Sequence, residues 1–381
     1  MKEGVKNDKI YFAHLDVVRF LSAFMVSIAH AYEAWNGWYG EIEFLREKPG
    51  GDFTFFGNLL DRFIKNFGIG VEVFFLISGF LITYLLLEER KRYNKIHIGK
   101  FMIRRSLRIW PLYFLLIAIA PFLVEWVGKP HPNYIYHAFF LGNFDIISIK
   151  TWPYPFAHFW SICIEEHFYL IWPFIIAFLP KKKLLPVFIS IISLSIIYRI
   201  YQSYQYKDPG LVLYLHTFSK IDTLIIGAIG AYFYSEKKFN FNLTKSLRIL
   251  IYAILIVSLC IEPVVSVYSP FLAGFKKYFY TGLIAILLMD YNLNSNFKHI
   301  IPKKSFVHYL GKISYGIYMY GNILLIIVVK KIMWRFHITN MWAFFGIVFF
   351  LNLVIPIISY EIFEKQILKL NKFFRVIKTD R

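Results

Sequence analysis

Only two cysteines, Cys163 and Cys260, occur in the chain. Both lie inside apolar runs with no CxxC spacing, which excludes a disulfide framework and a cysteine-based metal knuckle. Charge is scarce as well. Asp, Glu, Lys and Arg make up 18% of 381 residues, against about 25% in ordinary globular proteins. The shortage falls on the acids, 24 of them against 43 Lys and Arg, leaving a net charge of +19. No low-complexity linker or internal repeat is visible. The longest stretches between apolar runs, 36–66 and 127–158, are roughly 30 residues each, too short for a separate soluble domain.

In place of charge the chain carries 57% hydrophobic and 20% aromatic residues, with a mean hydropathy of +0.51. That composition belongs to a chain whose solvent is largely lipid, and it excludes intrinsic disorder. Apolar stretches of about the 20 residues needed to cross a bilayer recur along the whole sequence. About ten spans are expected, at Leu15–Trp35, Phe67–Leu87, Ile109–Trp126, Phe159–Leu179, Leu184–Tyr201, His216–Tyr234, Ile249–Val267, Tyr278–Asp290, Ile313–Val329 and Met341–Ile362. The first carries Asp16, Arg19 and His30 and lacks a small-residue cleavage site, so it reads as a retained span and not as a signal peptide.

With the N-terminus inside, 28 of the 43 basic residues fall on the cytoplasmic side and 12 opposite. This asymmetry predicts an all-α integral membrane protein, a single domain over 1–381, with both termini cytoplasmic. The basic charge then orients the chain. No RNP, zinc-finger or basic-zipper pattern supports a nucleic-acid partner.

Charged groups at membrane depth are costly, and so mark candidate functional residues. Arg19 and His30 are 11 positions apart, close to three helical turns, and share one face about 16 Å apart along the axis. Asp16 stands three residues before Arg19, in position to pair with it. His30 is either a satisfied interhelical hydrogen-bonder or a general base, since neutral imidazole accepts a proton from a hydroxyl. In HFWSICIEEHFYLIWP, Ser161 and Glu165 share a face while Glu166 lies about 100° around the helix. At least one carboxylate must meet a polar interior, and a salt bridge to Arg19 or Lys220 is the structural alternative. Ser78-Gly79 reads as a close helix contact, and the absence of G-x-S-x-G argues against a serine hydrolase. Arg104, Arg105 and Arg108 form either an ordinary inside flank or a dock for a phosphorylated donor, whose oxygens match guanidinium forks.

These segments form an ordered series that resembles acyltransferase family 3, the membrane family that includes bacterial O-antigen and exopolysaccharide O-acetyltransferases. LDVVRFLSAFMVSIAHA resembles its first helix, with Arg-x10-His on Arg19 and His30, followed by GVEVFFLISGFLIT and RRSLRIWPLY. FWSICIEEHFYLIWP resembles the W-S-x-x-x-E-E-Q-F-Y block on Trp160, Ser161, Glu165, Glu166 and Tyr169. KIDTLIIGAIGA, LGKISYGIYMY and ISYEIFEKQIL resemble later blocks, matching Asp222, Gly227 and Glu364. The similarity runs from about residue 15 to 368. His167 replaces a usual Gln, Lys220 a usual Arg, and Gly321 a frequent His, so no catalytic role is assigned at Gly321.

The resemblance implies transfer of an acyl group, usually acetyl from acetyl-CoA, to a hydroxyl of a cell-surface polysaccharide or lipid-linked glycan at the bacterial inner membrane. It implies an acyl-CoA donor substrate and membrane lipid as surroundings, with no permanently bound cofactor and no metal. Family members often carry a C-terminal SGNH-type domain; none follows here, so a standalone core is expected. On this reading His30 is base or acyl carrier, Arg19 organises its helix or meets the donor, and Glu165 orients the imidazole or holds the acceptor. Arg104, Arg105 and Arg108 hold donor phosphates, while Trp160, Ser161, Glu166, Tyr169, Ser78 and Asp222 shape the acceptor site. The competing expectation is a transporter or flippase, or a carrier that moves acyl groups across the membrane for a separate transferase. A transporter would show paired Gly/Pro-broken helices in two similar halves, and the sequence offers none.

Overall fold

The computed structural model describes residues 12–38, 47, 52–206, 208–236, 242–261, 270–293 and 305–377. Among them the chain is helical, with no strand: α1 (Ala13–Trp38), α2 (Phe55–Lys65), α3 (Gly70–Tyr93), α4 (Ile98–Val127), α5 (Tyr134–Ala138), α6 (Gly142–Ile149), α7 (Trp160–Phe178), α8 (Lys181–Gln205), α9 (Gly210–Leu215), α10 (Thr217–Ser235), α11 (Lys245–Ile261), α12 (Pro270–Leu293), α13 (Phe306–Ile327), α14 (Met341–Ser359) and α15 (Lys365–Leu368). It is a multi-pass membrane protein. Eight helical segments among the described residues are long and apolar enough to cross a bilayer, and each covers one of the expected spans, the fourth to within its last residue. The seventh and eighth expected spans fall on α11 and α12; residues 262–267 of the seventh lie outside the described residues.

Two elements differ from expectation. Helix α4 begins at Ile98, 11 residues before the expected span, so Arg104, Arg105 and Arg108 lie within a helix instead of a flanking loop. No Gly or Pro interrupts 100–110, and good helix formers carry the helix beyond the apolar run. Helix α2 was not foreseen; its Thr54 hydroxyl accepts from Gly57 N at 2.9 Å, capping an 11-residue helix too short to span.

Helix α3 is apolar on nearly every face and accordingly lies at the centre, with Phe75, Ile77 and Ile82 fully buried. It crosses α10 at van der Waals distance of the backbones. A Cβ built on Gly79 would stand 1.8 Å from Leu224 O, and one on Gly227 2.1 Å from Leu76 O. Two small residues facing each other permit this approach, as expected of helices in lipid. Gly79→Ala should therefore force the pair apart and cost about 1–3 kcal/mol, read as a lowered unfolding midpoint in detergent. Gly311 likewise lets α13 approach α1, where its Cβ would lie 2.3 Å from Asp16 O.

Side chains tie the remaining helices to this centre. Trp172 Nε1 donates to Thr83 Oγ1 at 2.7 Å, joining α7 to α3. Arg90 donates to Ile176 O and Leu179 O at 2.8 and 2.7 Å, satisfying carbonyls at the C-terminus of α7. By contrast α8 and α11 present Leu194, Ile197, Leu250 and Val257 outward, as lipid-facing helices should.

Candidate functional site

Three cavities lie along the length of α1. The first, about 460 Å³, sits at the end bearing Asp16 and is lined by Arg104, Arg105, Arg108, Lys312, Lys365, Lys369 and Arg375, against the acids Asp16, Glu89 and Glu364. Its wall comes from both ends of the chain: α1 and α4 on one side, α15 and the segment after it on the other. Glu364 closes a π turn over Tyr360–Glu364 and accepts from Ser359 Oγ at 3.2 Å. Such turns re-aim a helix and recur at functional sites.

The three arginines are not equivalent. Arg104 donates to Phe374 O at 2.7 Å and stands 3.7 Å from Glu89, so it is committed to the C-terminal segment. Arg105 lies over the rings of Phe101 and Tyr169, at 5.6 and 5.8 Å. Among the described residues neither Arg105 nor Arg108 has a hydrogen bond or an acidic partner within 4 Å. Both also line the second cavity.

That second cavity, about 70 Å³, is a narrow polar waist bounded by Arg19, Ser78, Arg105, Arg108, Ser161, Glu165, Tyr169 and Tyr318. Glu165 accepts from Ser78 Oγ at 3.0 Å and Tyr169 OH at 2.5 Å. Ser161 Oγ and Tyr318 OH share a hydrogen bond of 2.7 Å. Arg19 pairs with Asp16 at 3.4 Å, as their spacing predicts. Ser78, Ser161, Glu165 and Tyr169 are thus brought together with Arg19, Arg105 and Arg108.

His30 is not among them. It lines a third cavity of about 460 Å³ at the opposite end, with Glu33, Lys65, Glu72, Trp152, Tyr154, His158, Trp160, Tyr214, Lys220 and Asn322. Asn322, on α13, lines this cavity together with His30. Glu165 holds its own pair of hydroxyls in the waist instead of orienting the imidazole; the expectation that it would do so took sequence pattern for adjacency. Lys220 pairs with Glu72 and lies 4.5 Å over the Tyr214 ring, while Thr223 Oγ1 donates to Glu72 at 2.7 Å. Trp160 borders this cavity, but Tyr214 covers it with ring centroids 4.9 Å apart, so it forms wall more than open platform.

Two expected site-shaping residues lie outside all three cavities. Glu166, about 100° around α7 from Glu165, turns to α4 and accepts from Trp110 Nε1 at 2.9 Å. Asp222 is fully buried behind the third cavity, where it binds Arg199 at 2.6 Å together with Lys277 and Tyr278. Conversely, sequence reading missed Asn322, Glu33 and His158. His158 Nε2 donates to Met319 O at 2.9 Å, which fixes its tautomer. The spacing of Glu33, one turn beyond His30, was the available signal; Asn322 lies too far along the chain for any spacing rule to link it to His30.

The sequence was compared with known proteins. The family described as an acyltransferase domain matches residues 12–361. Curated relatives include the O-acetyltransferase OatA of Staphylococcus aureus, 32% identical over 196 residues that make up 47% of this chain and 32% of that protein. The peptidoglycan O-acetyltransferase OatA of Listeria monocytogenes is 28% identical over 273 residues, 66% of this chain and 44% of its own length. The chain therefore spans less than half the length of these relatives. No solved structure matches.

Proposed function

The chain belongs to acyltransferase family 3, and from that premise we propose that it is a membrane O-acetyltransferase that takes acetyl from cytoplasmic acetyl-CoA and esterifies a hydroxyl of a cell-surface glycan on the other side of the inner membrane. The relatives' names point to a peptidoglycan-type amino-sugar polymer as acceptor class. One observation carries the reading. Two chambers at opposite ends of α1, one lined by Arg105 and Arg108, which have no acceptor among the described residues, and one holding a histidine among aromatic side chains, flank a waist whose arginines also line the first.

In this scheme the basic cavity is cytoplasmic and binds the phosphates of the donor through Arg105 and Arg108, whose guanidinium groups have no acceptor among the described residues. The slender acyl-thioester arm enters the waist, where Ser78, Ser161, Tyr169 and Arg19 offer hydrogen bonds along its length. The acceptor enters the outer cavity. His30 takes the proton from the sugar hydroxyl as its oxygen attacks the thioester carbonyl. The tetrahedral oxyanion collapses, the C–S bond breaks and the thiolate of CoA leaves. A thioester is already activated, so a base and donors to the oxyanion suffice.

The test is transfer by the purified protein. Reconstituted with radiolabelled acetyl-CoA and an N-acetylglucosamine oligosaccharide, it should yield labelled, alkali-labile sugar ester. A protein that moves acetyl groups or glycans without yielding ester would overturn the reading. Arg105→Gln and Arg108→Gln should each raise KM for acetyl-CoA about ten- to a hundredfold, the worth of a charge-assisted hydrogen bond, with acceptor KM unchanged. Arg104→Gln should raise it less, because its guanidinium is held by Phe374 O.

A further inference from the structure

At the outer end of α1 the ring of Trp38 carries two ammonium groups. Lys129 Nζ stands 5.2 Å from its centroid and Lys330 Nζ 5.0 Å, so the two cations are no more than about a Debye length apart in dilute salt. Among the described residues neither ammonium has a hydrogen bond or an acidic partner within 4 Å, not even from Glu125, four positions before Lys129. An indole face attracts one ammonium readily, but a second on the same ring meets the repulsion of the first. Irregular backbone holds both there. Gly128, at φ +66°, closes the end of α4 in the left-handed conformation that favours glycine, and Lys129 N donates to Val124 O at 3.0 Å, which turns Lys129 back over the ring. Opposite it, α13 runs on into a π turn over Val328–Met333. Its extra residue re-aims the side chains, so that Lys330 meets Trp38 while Lys331 lies over Trp126 at 5.3 Å.

This basic strip reaches the outer cavity. Lys129 Nζ also stands 5.9 Å from the ring of Tyr154, which lines that cavity together with His30 and is 40% exposed. Trp38 and Trp126 are exposed as well. Cations without counterions thus alternate with open aromatic faces on a path leading out of the chamber. We infer that the strip grips the oxyanions of an acidic glycan while a hydroxyl of the same chain enters the chamber. The inference rests on the proposed glycan acetylation and narrows its acceptor from any surface glycan to a negatively charged one. Three ammonium groups select for negative charge, and the rings among them suit the flat apolar sides of pyranose rings. A neutral glycan leaves the two cations on Trp38 with only each other. The headgroup of an anionic lipid answers the charge but not the continuity with the chamber through Tyr154.

Two chains that differ in charge alone provide the test: an oligosaccharide of alternating N-acetylglucosamine and glucuronic acid, and its carboxyl methyl ester. In nanodiscs of phosphatidylcholine the wild-type protein should bind the acid about tenfold more tightly than the ester, the combined effect of two exposed ion pairs of a few-fold each. The preference should shrink as salt rises. Lys129→Gln combined with Lys330→Gln should abolish it, both chains then binding alike, whereas Lys129→Arg combined with Lys330→Arg should keep it. Both lysines lie at helix ends and neither ammonium holds another residue by a hydrogen bond, so the variants should fold as the wild type does. Transfer of acetyl, read as kcat/KM, should rank the two chains in the same order. If neither chain is acetylated the functional reading fails, and the binding ranking still decides the strip. Equal binding of acid and ester by the wild type, or a preference that survives in the glutamine variant, would overturn the inference. So would unfolding midpoints raised by phosphatidylglycerol in the wild type but not in the glutamine variant, with no preference between the chains, since the strip would then be a lipid headgroup site.

Discussion

Replacing His30 with alanine is expected to lower kcat for acetyl transfer by about 10²–10⁴-fold, the span attributed to a positioned general base. The fold should survive. His30 borders a cavity, so its truncation enlarges a polar space and opens no void in an apolar core. Donor KM should hold, since Arg105 and Arg108 lie in the other chamber. His30→Gln is the informative companion, for it keeps a polar side chain in the cavity but cannot accept a proton at neutral pH. If the imidazole acts as base or acyl carrier, both variants fall together; wild-type turnover by either in folded protein would remove His30 from the chemistry. Product formation in proteoliposomes, with unfolding midpoints measured in parallel, decides between the outcomes.

Asp222→Ala should act on stability instead. Its carboxylate is fully buried and is shared by Arg199, Lys277 and Tyr278, drawn from α8 and α12 onto α10. Removing one partner of a buried ion pair leaves uncompensated charge, which typically costs about 3–5 kcal/mol. Here two cations lose their counterion at once. Lys277→Met should be milder, because the Arg199–Asp222 pair remains. Thermal unfolding in detergent would rank the two variants, and folded Asp222→Ala should keep the wild-type KM for acetyl-CoA. A ranking in the opposite order would show that Asp222 is not the keystone of the cluster.

These two cases also mark what the sequence could and could not reveal. The spans were legible because lipid solvation imposes long apolar runs, and the Arg19–Asp16 pair because three residues is one helical turn. The split between Glu165 and Glu166 followed from the 100° step, since two neighbours on a helix cannot face one cavity. Partners across helices were another matter. Lys220 meets Glu72, and Asn322 reaches the cavity of His30, through packing of segments far apart in sequence, where periodicity is silent. Family pattern marked Glu165 and His30 as parts of one site without indicating that Glu165 lies in the waist and His30 in the chamber beyond it. The early start of α4 escaped notice because hydropathy locates where lipid begins and not where a helix does.

The basic cavity has walls from both extremities of the chain, Asp16 on α1 and residues 365–377 after α14, with Arg104 fastened to Phe374. Among the described residues, the lining of the outer cavity ends on α13. During synthesis the chamber around His30 is therefore complete before the other has its floor. On the proposed assignment, a chain clipped after α13 would keep the acceptor chamber and lose the donor chamber, so the order of translation places acceptor binding before donor capture.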